Sequence, residues 1–330
     1  MRAALYVLLA VIMVLVPTSI TVDYAHNQEQ RHLHAAERIG TRFNLPDVAE
    51  VAAPEDAQGV LTAAADESGT NILRVSIESS GRQHIRYYIY LGAQHTQLFD
   101  IIELSRGAWP SATGLRQGQT VTTTEPAADG VIGVPNVVAS RYELSIQPLE
   151  AAYGRLPTAG TYTVEATTQD ARDAFLQYTA RALTELSGQE YTAADLNPRD
   201  PHEASNDRTQ TATSRLFLPA PYLLMLIATA LLPATVTRAG KQLGALSLHG
   251  YPNTRIWYAT TGKPTLIAVG TGFTATVALT LAVPEMNSAL THTLFLRYTF
   301  TSVAILLVVY SVSMVAIRRI NVSDLVKGRL

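Results

Sequence analysis

The sequence contains no cysteine, so neither a disulfide nor a thiolate can contribute to its fold or its chemistry. The phosphate-binding pattern of NTPases is also absent, because Gly262-Lys263 is followed by Pro264 and Trp257 stands where the first glycine belongs. Neither HExxH nor GxSxG occurs, and the acidic residues are too dispersed to indicate a paired-carboxylate site. We therefore expect no catalytic, metal-binding or cofactor-binding residue and no enzyme activity in this chain.

Negative and positive charges are separated along the sequence. Residues 23–215 contain 25 acidic and 15 basic residues, a formal charge of −10, whereas the remainder carries +8. All three lysines, Lys241, Lys263 and Lys327, lie in the basic remainder. Nucleic-acid binding by the acidic part is not expected, because that part would repel phosphate groups.

Apolar residues are concentrated in four windows of about 20 residues that contain no charged side chain. At 1.5 Å per residue, each window is long enough to cross roughly 30 Å of hydrocarbon as a helix. The windows are residues 3–22, 216–236, 264–283 and 298–317. The sequence therefore predicts an α-helical membrane protein with four transmembrane helices.

The first window has an alternative interpretation as a secretory signal, because Arg2 precedes the apolar run and Ala25 could mark a cleavage site. The run extends beyond a usual signal core, however, and a polar segment of helical composition follows it without a break. We expect a retained span.

Basic residues close to the spans predict the orientation, because Lys and Arg are retained on the cytoplasmic side. They cluster at the N-terminus, in the loop between the second and third spans, and in the C-terminal tail. Both termini are therefore expected to be cytoplasmic in a multi-pass protein of the bacterial plasma membrane. The predicted order is span 1–23, extracytoplasmic stalk and domain 24–214, span 215–237, cytoplasmic coupling loop 238–263, span 264–284, outer loop 285–297, span 298–317 and cytoplasmic tail 318–330.

The extracytoplasmic part is expected to be an α+β domain on helical stalks. Residues 23–43 lack proline and are expected to continue the first span as a polar helix, and residues 197–214 are a link or a second stalk. Alternating apolar residues predict strands, and helical periodicity predicts two further helices. The predicted strands are 71–79, 84–92, 130–138 and 160–167, and the predicted helices are 55–67 and 170–186.

Histidines in the predicted stalk raise the question of a metal site. On a helix, His32 and His34 point about 160° apart, so with His26 they do not form a ligand set. We expect solvated stalk histidines, and we expect His84 and His95 at surface strand or loop positions.

The segment between the second and third spans is predicted to be two helices joined by a sharp turn. Gly250 suits a helix end, since glycine adopts the left-handed conformation at low cost, and Pro252 suits the first turn of the next helix. Leu246, Leu248 and Tyr251 would then offer an apolar surface at the membrane boundary. The segment is either a docking element for a cytoplasmic partner or an ordinary connection packed beneath the spans.

The residues "KQLGALSLHGYPNTRIWY", four spans and a large outer domain between the first two spans resemble the FtsX/MacB-like permeases of ABC transporters. This group is also called type VII or mechanotransmission type. The "GALSLHGYPNTRIW" run is most similar to the bacteriocin-associated integral membrane protein branch, and "RRINVSDLVKGRL" resembles the short inner tail of such permeases. One departure is that the chain starts almost at the membrane, without an inner amphipathic helix.

The resemblance implies a permease subunit that couples a cytoplasmic ABC ATPase dimer to extracytoplasmic handling or export of a peptide, lipid or other amphiphile. No cofactor would bind directly, since ATP and Mg would belong to the ATPase, and membrane lipid and a second permease copy or homologous half are expected partners. The alternatives are a non-transporting regulator of an extracellular partner such as a cell-wall hydrolase, and a bacteriocin immunity-type membrane protein. The residues assigned to ATPase coupling are Leu243, Gly244, Leu246, Leu248, Gly250, Tyr251, Pro252, Arg255 and Trp257.

Small residues in the third span suggest close helix packing. Gly270, Thr274 and Ala278 repeat every four residues, which places them on one helix face. This face is expected to be a helix-packing surface, either within the chain or against a second copy.

Overall fold

The computed structural model describes residues 2–79, 81–197, 220–238, 245–246 and 249–319. The chain forms two compact units. We call Met1–His26 together with Thr209–Leu330 the helical unit, and Asn27–Arg208 the α/β unit. The predicted link at 197–214 falls almost entirely outside the described residues.

One eight-stranded mixed sheet organises the α/β unit. The strands lie in the order β1-β8-β2-β3-β7-β5-β6-β4. The β3–β7 and β5–β6 pairs are parallel, and the other five pairs are antiparallel. The strands are β1 (Thr41–Leu45), β2 (Asn71–Glu78), β3 (His84–Leu91), β4 (Leu104–Gly107), β5 (Thr120–Thr122), β6 (Val131–Pro135), β7 (Glu143–Pro148) and β8 (Gly160–Glu165).

Each face of the sheet carries its own hydrophobic core, because successive residues of a strand point to opposite faces. On one face, Phe43, Ile72 and Tyr162 pack against α3 (Pro54–Ser68) and α6 (Gln169–Ser187). On the other face, buried residues of β2, β3 and β7 pack against the end of α1 (Arg2–Leu33) and three short helices. These helices are α2 (Ala35–Ile39), α4 (Leu98–Ile101) and α5 (Ala112–Arg116).

The two long helices of the α/β unit begin and end as their sequences indicate. Pro54 is the first residue of α3, and Gly69 ends that helix in the left-handed conformation with φ of 62°. The Thr168 side chain accepts a hydrogen bond from Ala171 N at the start of α6, and Gly188 ends α6 with φ of 67°.

Four helices make up the rest of the described helical unit beside the first part of α1. They are α7 (Ala220–Arg238), α8 (Asn253–Trp257), α9 (Lys263–Ala282) and α10 (Ser288–Arg319). A π-helical turn, Tyr258–Gly262, joins α8 to α9, so the helical backbone is continuous from Asn253. Both α7 and α9 lie against α10.

Three helical stretches of the described residues are long and apolar enough to cross a membrane. They are Leu5–Leu33, Asn253–Ala282 and Ser288–Arg318, and α7 contributes only the shorter apolar stretch Pro221–Thr235. Three of the four predicted spans therefore correspond to helices long enough to cross a membrane. The predicted span 215–237 corresponds to α7, whose described apolar stretch is shorter, so the count of four spans is not established among the residues described. The last helix also begins at Ser288, within the segment predicted to be the outer loop 285–297.

All four strands predicted from alternation and both predicted helices of the α/β unit are present, within a few residues of their predicted bounds. The stalk prediction for 23–43 holds for α1 up to Leu33, but Phe43 lies in β1 and not in a helix. Strands β1, β4, β5 and β7 were not predicted.

Candidate functional site

The predicted coupling segment forms a turn followed by a helix. Gly250 has φ of 76°, the left-handed conformation expected of a helix-ending glycine. Tyr251 N donates a hydrogen bond to Leu246 O at 3.2 Å across this turn, and His249 N donates to Ala245 O at 3.2 Å. Leu243, Gly244 and Leu248, also predicted for this site, lie outside the described residues.

Tyr251 and Arg255 form one exposed unit on the segment. The Arg255 guanidinium carbon lies 4.7 Å from the centroid of the Tyr251 ring, and Tyr251 is 38% exposed. Pro252 precedes α8 rather than lying inside its first turn, and its carbonyl accepts from Arg255 N at 2.9 Å. Tyrosine and arginine are both enriched among the residues that contribute most to protein–protein binding.

Trp257 and Ile256 point the opposite way, into the helical unit. Ile256 is buried against Ile317 of α10, and the Trp257 ring meets Tyr310 edge to face at 5.2 Å between centroids. A methyl group at Gly262 would lie 2.8 Å from the Trp257 ring, so the ring packs directly on the glycine backbone. Trp257 is thus a packing residue, and the exposed residues of the predicted site are Gly250, Tyr251, Pro252 and Arg255.

The π-helical turn between α8 and α9 has its polar groups satisfied within the helical unit. Lys263 N donates to Tyr258 O, the i+5 bond that defines the turn. The Thr260 hydroxyl donates to Ile256 O at 2.8 Å, and the Tyr6 hydroxyl of α1 donates to Thr260 O at 2.7 Å. Such bonding is required where water is excluded, because an unpaired backbone group in hydrocarbon costs several kcal/mol.

The predicted helix-packing face is exposed in the part of the chain that the structure describes. Gly270, Thr274 and Ala278 are exposed, and a methyl group at Gly270 would meet no other atom within 4 Å. The tight contact is made instead by Gly272, where a methyl group would lie 2.6 Å from Met13 O of α1. Contact of the Gly270 face with a second copy stays a prediction.

The Gly272 contact falls at the carbonyl that Pro17 leaves without its helical donor. Proline has no N–H, so Pro17 cannot donate to the carbonyl four residues before it, which is that of Met13. Gly272 brings the backbone of α9 directly against this carbonyl, which a larger residue would prevent.

The last two turns of α1 are bound tightly to the 136–142 segment, which leads into β7. Gln28 Nε2 donates to Asn136 O at 2.8 Å, and Val138 N donates to Gln28 Oε1 at 3.0 Å. His32 Nδ1 lies 2.6 Å from the Tyr142 hydroxyl. His32 is 2% exposed, so the expectation of a solvated stalk histidine was wrong.

Sequence reasoning missed this joint, because its partner segment is distant in the sequence. Gln28 and His32 are four residues apart and therefore share a helix face. Polar side chains on one helix face ordinarily indicate solvent, so the docking of this face is shown by the structure alone.

A polar network covers the part of the sheet that α3 and α6 leave open. His84 Nε2 lies 3.0 Å from Ser145 Oγ, and His84 Nδ1 lies 3.3 Å from Glu143 Oε2. Serine, histidine and carboxylate in this order suggest a hydrolase triad, but Ser145 is only 1% exposed, so a substrate carbonyl could not reach it. The network is a structural feature, and His84 is a largely buried strand residue rather than a surface one.

Burial lowers the pKa of His84 from its ordinary value of 6.5, and the neighbouring Arg86 guanidinium lowers it further. Arg86 in turn bonds to Glu78. Neutral His84 therefore fits its surroundings better than the charged form.

Within the ranges that the structure covers, no three His, Asp or Glu side chains come together as a metal site. The buried Glu165 carboxylate is an example of an acid whose oxygens already accept hydrogen bonds from the protein. It accepts from Thr96 Oγ1 at 2.6 Å, Gln97 N at 2.7 Å and Asn71 Nδ2 at 3.0 Å. It fixes the loop before α4 and leaves little capacity for a ligand.

No family model and no curated protein matches the chain. Among solved structures, the chain is similar to the extracellular domain of the noncanonical ABC-type transporter YknZ from Gram-positive bacteria, at 13% identity and a TM-score of 0.30. The similarity covers 46% of this chain and 96% of that domain.

Proposed function

We propose that the chain is the permease subunit of an ABC transporter, and that a separate cytoplasmic ATPase docks on the segment around Tyr251 and Arg255. The observation that carries the proposal is the exposed Tyr251–Arg255 pair at the start of a helix that continues unbroken into a candidate span. A protein bound to this pair would act directly on a membrane helix. The resemblance of this segment to FtsX/MacB-like permeases supports the same role.

The sequence supports separate roles for this chain and the ATPase. The chain lacks a phosphate-binding loop, so ATP and Mg belong to the partner ATPase. The four apolar windows contain no charged residue that would mark a path for ions or protons. This composition favours handling of a peptide, lipid or other amphiphile outside the membrane by the α/β unit.

The proposed assembly has two permease subunits. Because an ABC ATPase acts as a dimer, each half needs a docking segment, and the second is supplied by another copy of this chain or by a homologous permease. Both termini and the 238–263 segment are then cytoplasmic, in agreement with the basic residues near them.

Co-purification of an ATPase from membranes tests the proposal. We expect an ATP-hydrolysing subunit to co-purify with the wild-type chain and to decrease more than about tenfold with the double variant Tyr251→Ala, Arg255→Glu, because each interface hot spot contributes about 2 kcal/mol or more. The matched control is Tyr178→Ala, Arg82→Glu in the α/β unit, since Tyr178 is 37% exposed and Arg82 is an exposed arginine. Absence of an ATPase from the wild-type preparation, or equal retention by both double variants, contradicts the proposal.

A further inference from the structure

The 136–142 segment contains two consecutive residues in a strained backbone conformation. Ala139 has φ of 59° and Ser140 has φ of 45°, and neither is glycine. The left-handed conformation brings Cβ close to the following carbonyl, so such residues persist only where surrounding contacts impose it. Asn136 Oδ1 adds a second unfavourable feature, because it is buried and accepts no hydrogen bond from the described residues.

One side chain holds the strained residues from outside the segment. The amide of Gln28 accepts from Val138 N and donates to Asn136 O, so both of its polar atoms are used immediately before Ala139. Gln28 is 3% exposed, which protects both hydrogen bonds from water.

Neighbouring side chains of α1 hold the other end of the segment. Arg141 Nε donates to Glu29 Oε2 at 2.6 Å, and Tyr142 reaches His32 Nδ1. Strand β7 begins at Glu143, so the contacts end where the central sheet begins.

We propose that the end of α1 and the 136–142 segment form a conformational latch, in which Gln28 holds Ala139 and Ser140 in the left-handed conformation. A shift of α1 beyond hydrogen-bond reach breaks both Gln28 bonds together, because they share one side chain. The two strained residues then leave the left-handed region, and the segment passes from a held to a released state. The latch goes beyond the proposed function, since it operates whichever partner moves α1.

The amide hydrogen exchange rate of Val138 in the full chain reports the population of the released state. Gln28→Met keeps the length of the side chain and removes both hydrogen bonds, so we expect Val138 to exchange at least about tenfold faster. Gln30→Met is the matched control on the same helix and should leave the rate unchanged. Strands β2 and β3 report whether the sheet stays folded. Equal exchange in Gln28→Met and Gln30→Met would overturn the latch.

Ala139→Gly tests the strain without touching a hydrogen bond. Glycine accepts the left-handed conformation at low cost, so in the wild-type background Ala139→Gly stabilises the held state. We expect Val138 exchange to slow by about fivefold. In the Gln28→Met background the held state is destabilised but still populated, so the same substitution should slow Val138 exchange there as well. Faster or unchanged exchange of Ala139→Gly in the wild-type background contradicts the proposal. The comparison of Ala139→Gly with wild type tests the proposal even if Gln28→Met fails to fold. Neither exchange measurement depends on whether an ATPase binds.

Discussion

At the scale of single residues, Gly270 and Gly272 look alike in the sequence but have different surroundings. Gly270 is exposed, whereas Gly272 packs against α1. Gly272→Ala places a methyl group 2.6 Å from a backbone oxygen of α1, which cannot move aside like a flexible side chain. We expect a loss of about 1–3 kcal/mol, typical of overpacking. The measurement is the thermal unfolding midpoint of the purified chain in detergent.

Gly270→Ala is the control on the same helix, because its added methyl group meets no atom within 4 Å. Alanine favours a helix over glycine by about 1 kcal/mol, so this variant should be neutral or slightly stabilised. A larger loss of stability for Gly270→Ala than for Gly272→Ala would mean that the helices pack through the face predicted from the sequence.

The spacing of small residues could predict that some face of α9 packs closely, but not which one. Both glycines lie among small residues, and the choice between them depends on how α1 and α9 meet, which brings Gly272 against the Met13 carbonyl. A single sequence does not show that α1 and α9 meet where Met13 and Gly272 lie.

At the scale of elements, the π-helical turn is held in register by the contact between Trp257 and Gly262. Gly262→Ala would push the Trp257 ring away from Tyr310, since the added methyl group lies 2.8 Å from the ring. We expect a loss of about 1 kcal/mol, the typical value of an edge-to-face aromatic pair. A shift in Trp257 fluorescence should accompany it, measured in a Trp109→Phe background that leaves Trp257 as the sole tryptophan. Unchanged emission and stability would show that the ring is not anchored by this contact.

Alternation in the sequence predicts elements well only where the strands are long. Strands β2 and β3 each have eight residues with apolar side chains at every second position, and both were predicted. Strands β4 and β5 have four and three residues, too few for a pattern, and they are stabilised by pairing with β6. Strand β1 follows the stalk so closely that helical composition outweighed the short strand.

At the scale of the whole molecule, stability should depend on pH through the His84 network. The folded state disfavours protonation of His84, whose pKa is lowered by burial and by Arg86, so the unfolded chain binds a proton first as the pH falls below about 6.5. The contribution of neutral His84 is therefore present near pH 7.5 and decreases towards pH 5.5. The other charges facing it are Glu143, Glu78 and Arg155.

Comparison of wild type with His84→Asn measures this dependence. The unfolding midpoint of the wild type should fall more between pH 7.5 and pH 5.5 than that of the variant, in which the titrating group is absent. Parallel declines in the two proteins would show that His84 does not contribute.

The candidate coupling site could be predicted only in part. The turn at Gly250 and the exposed Tyr251 follow from residue types that favour a helix end and a binding surface. The inward direction of Trp257 does not, because it depends on Tyr310 of a distant helix. The joint at Gln28 likewise requires a partner segment more than a hundred residues away.

The position of β8 between β1 and β2 has a consequence for biosynthesis. Among the strands that the structure describes, only β8 lies beside β1, so β1 stays unpaired until the chain has been synthesised as far as Glu165. Strand β3 likewise waits for β7 on its second edge. Pairing between strands so distant in sequence is slow, and open strand edges favour association with other chains. The nascent α/β unit therefore passes through a late stage in which chaperones and proteases can reach strands that the finished sheet conceals.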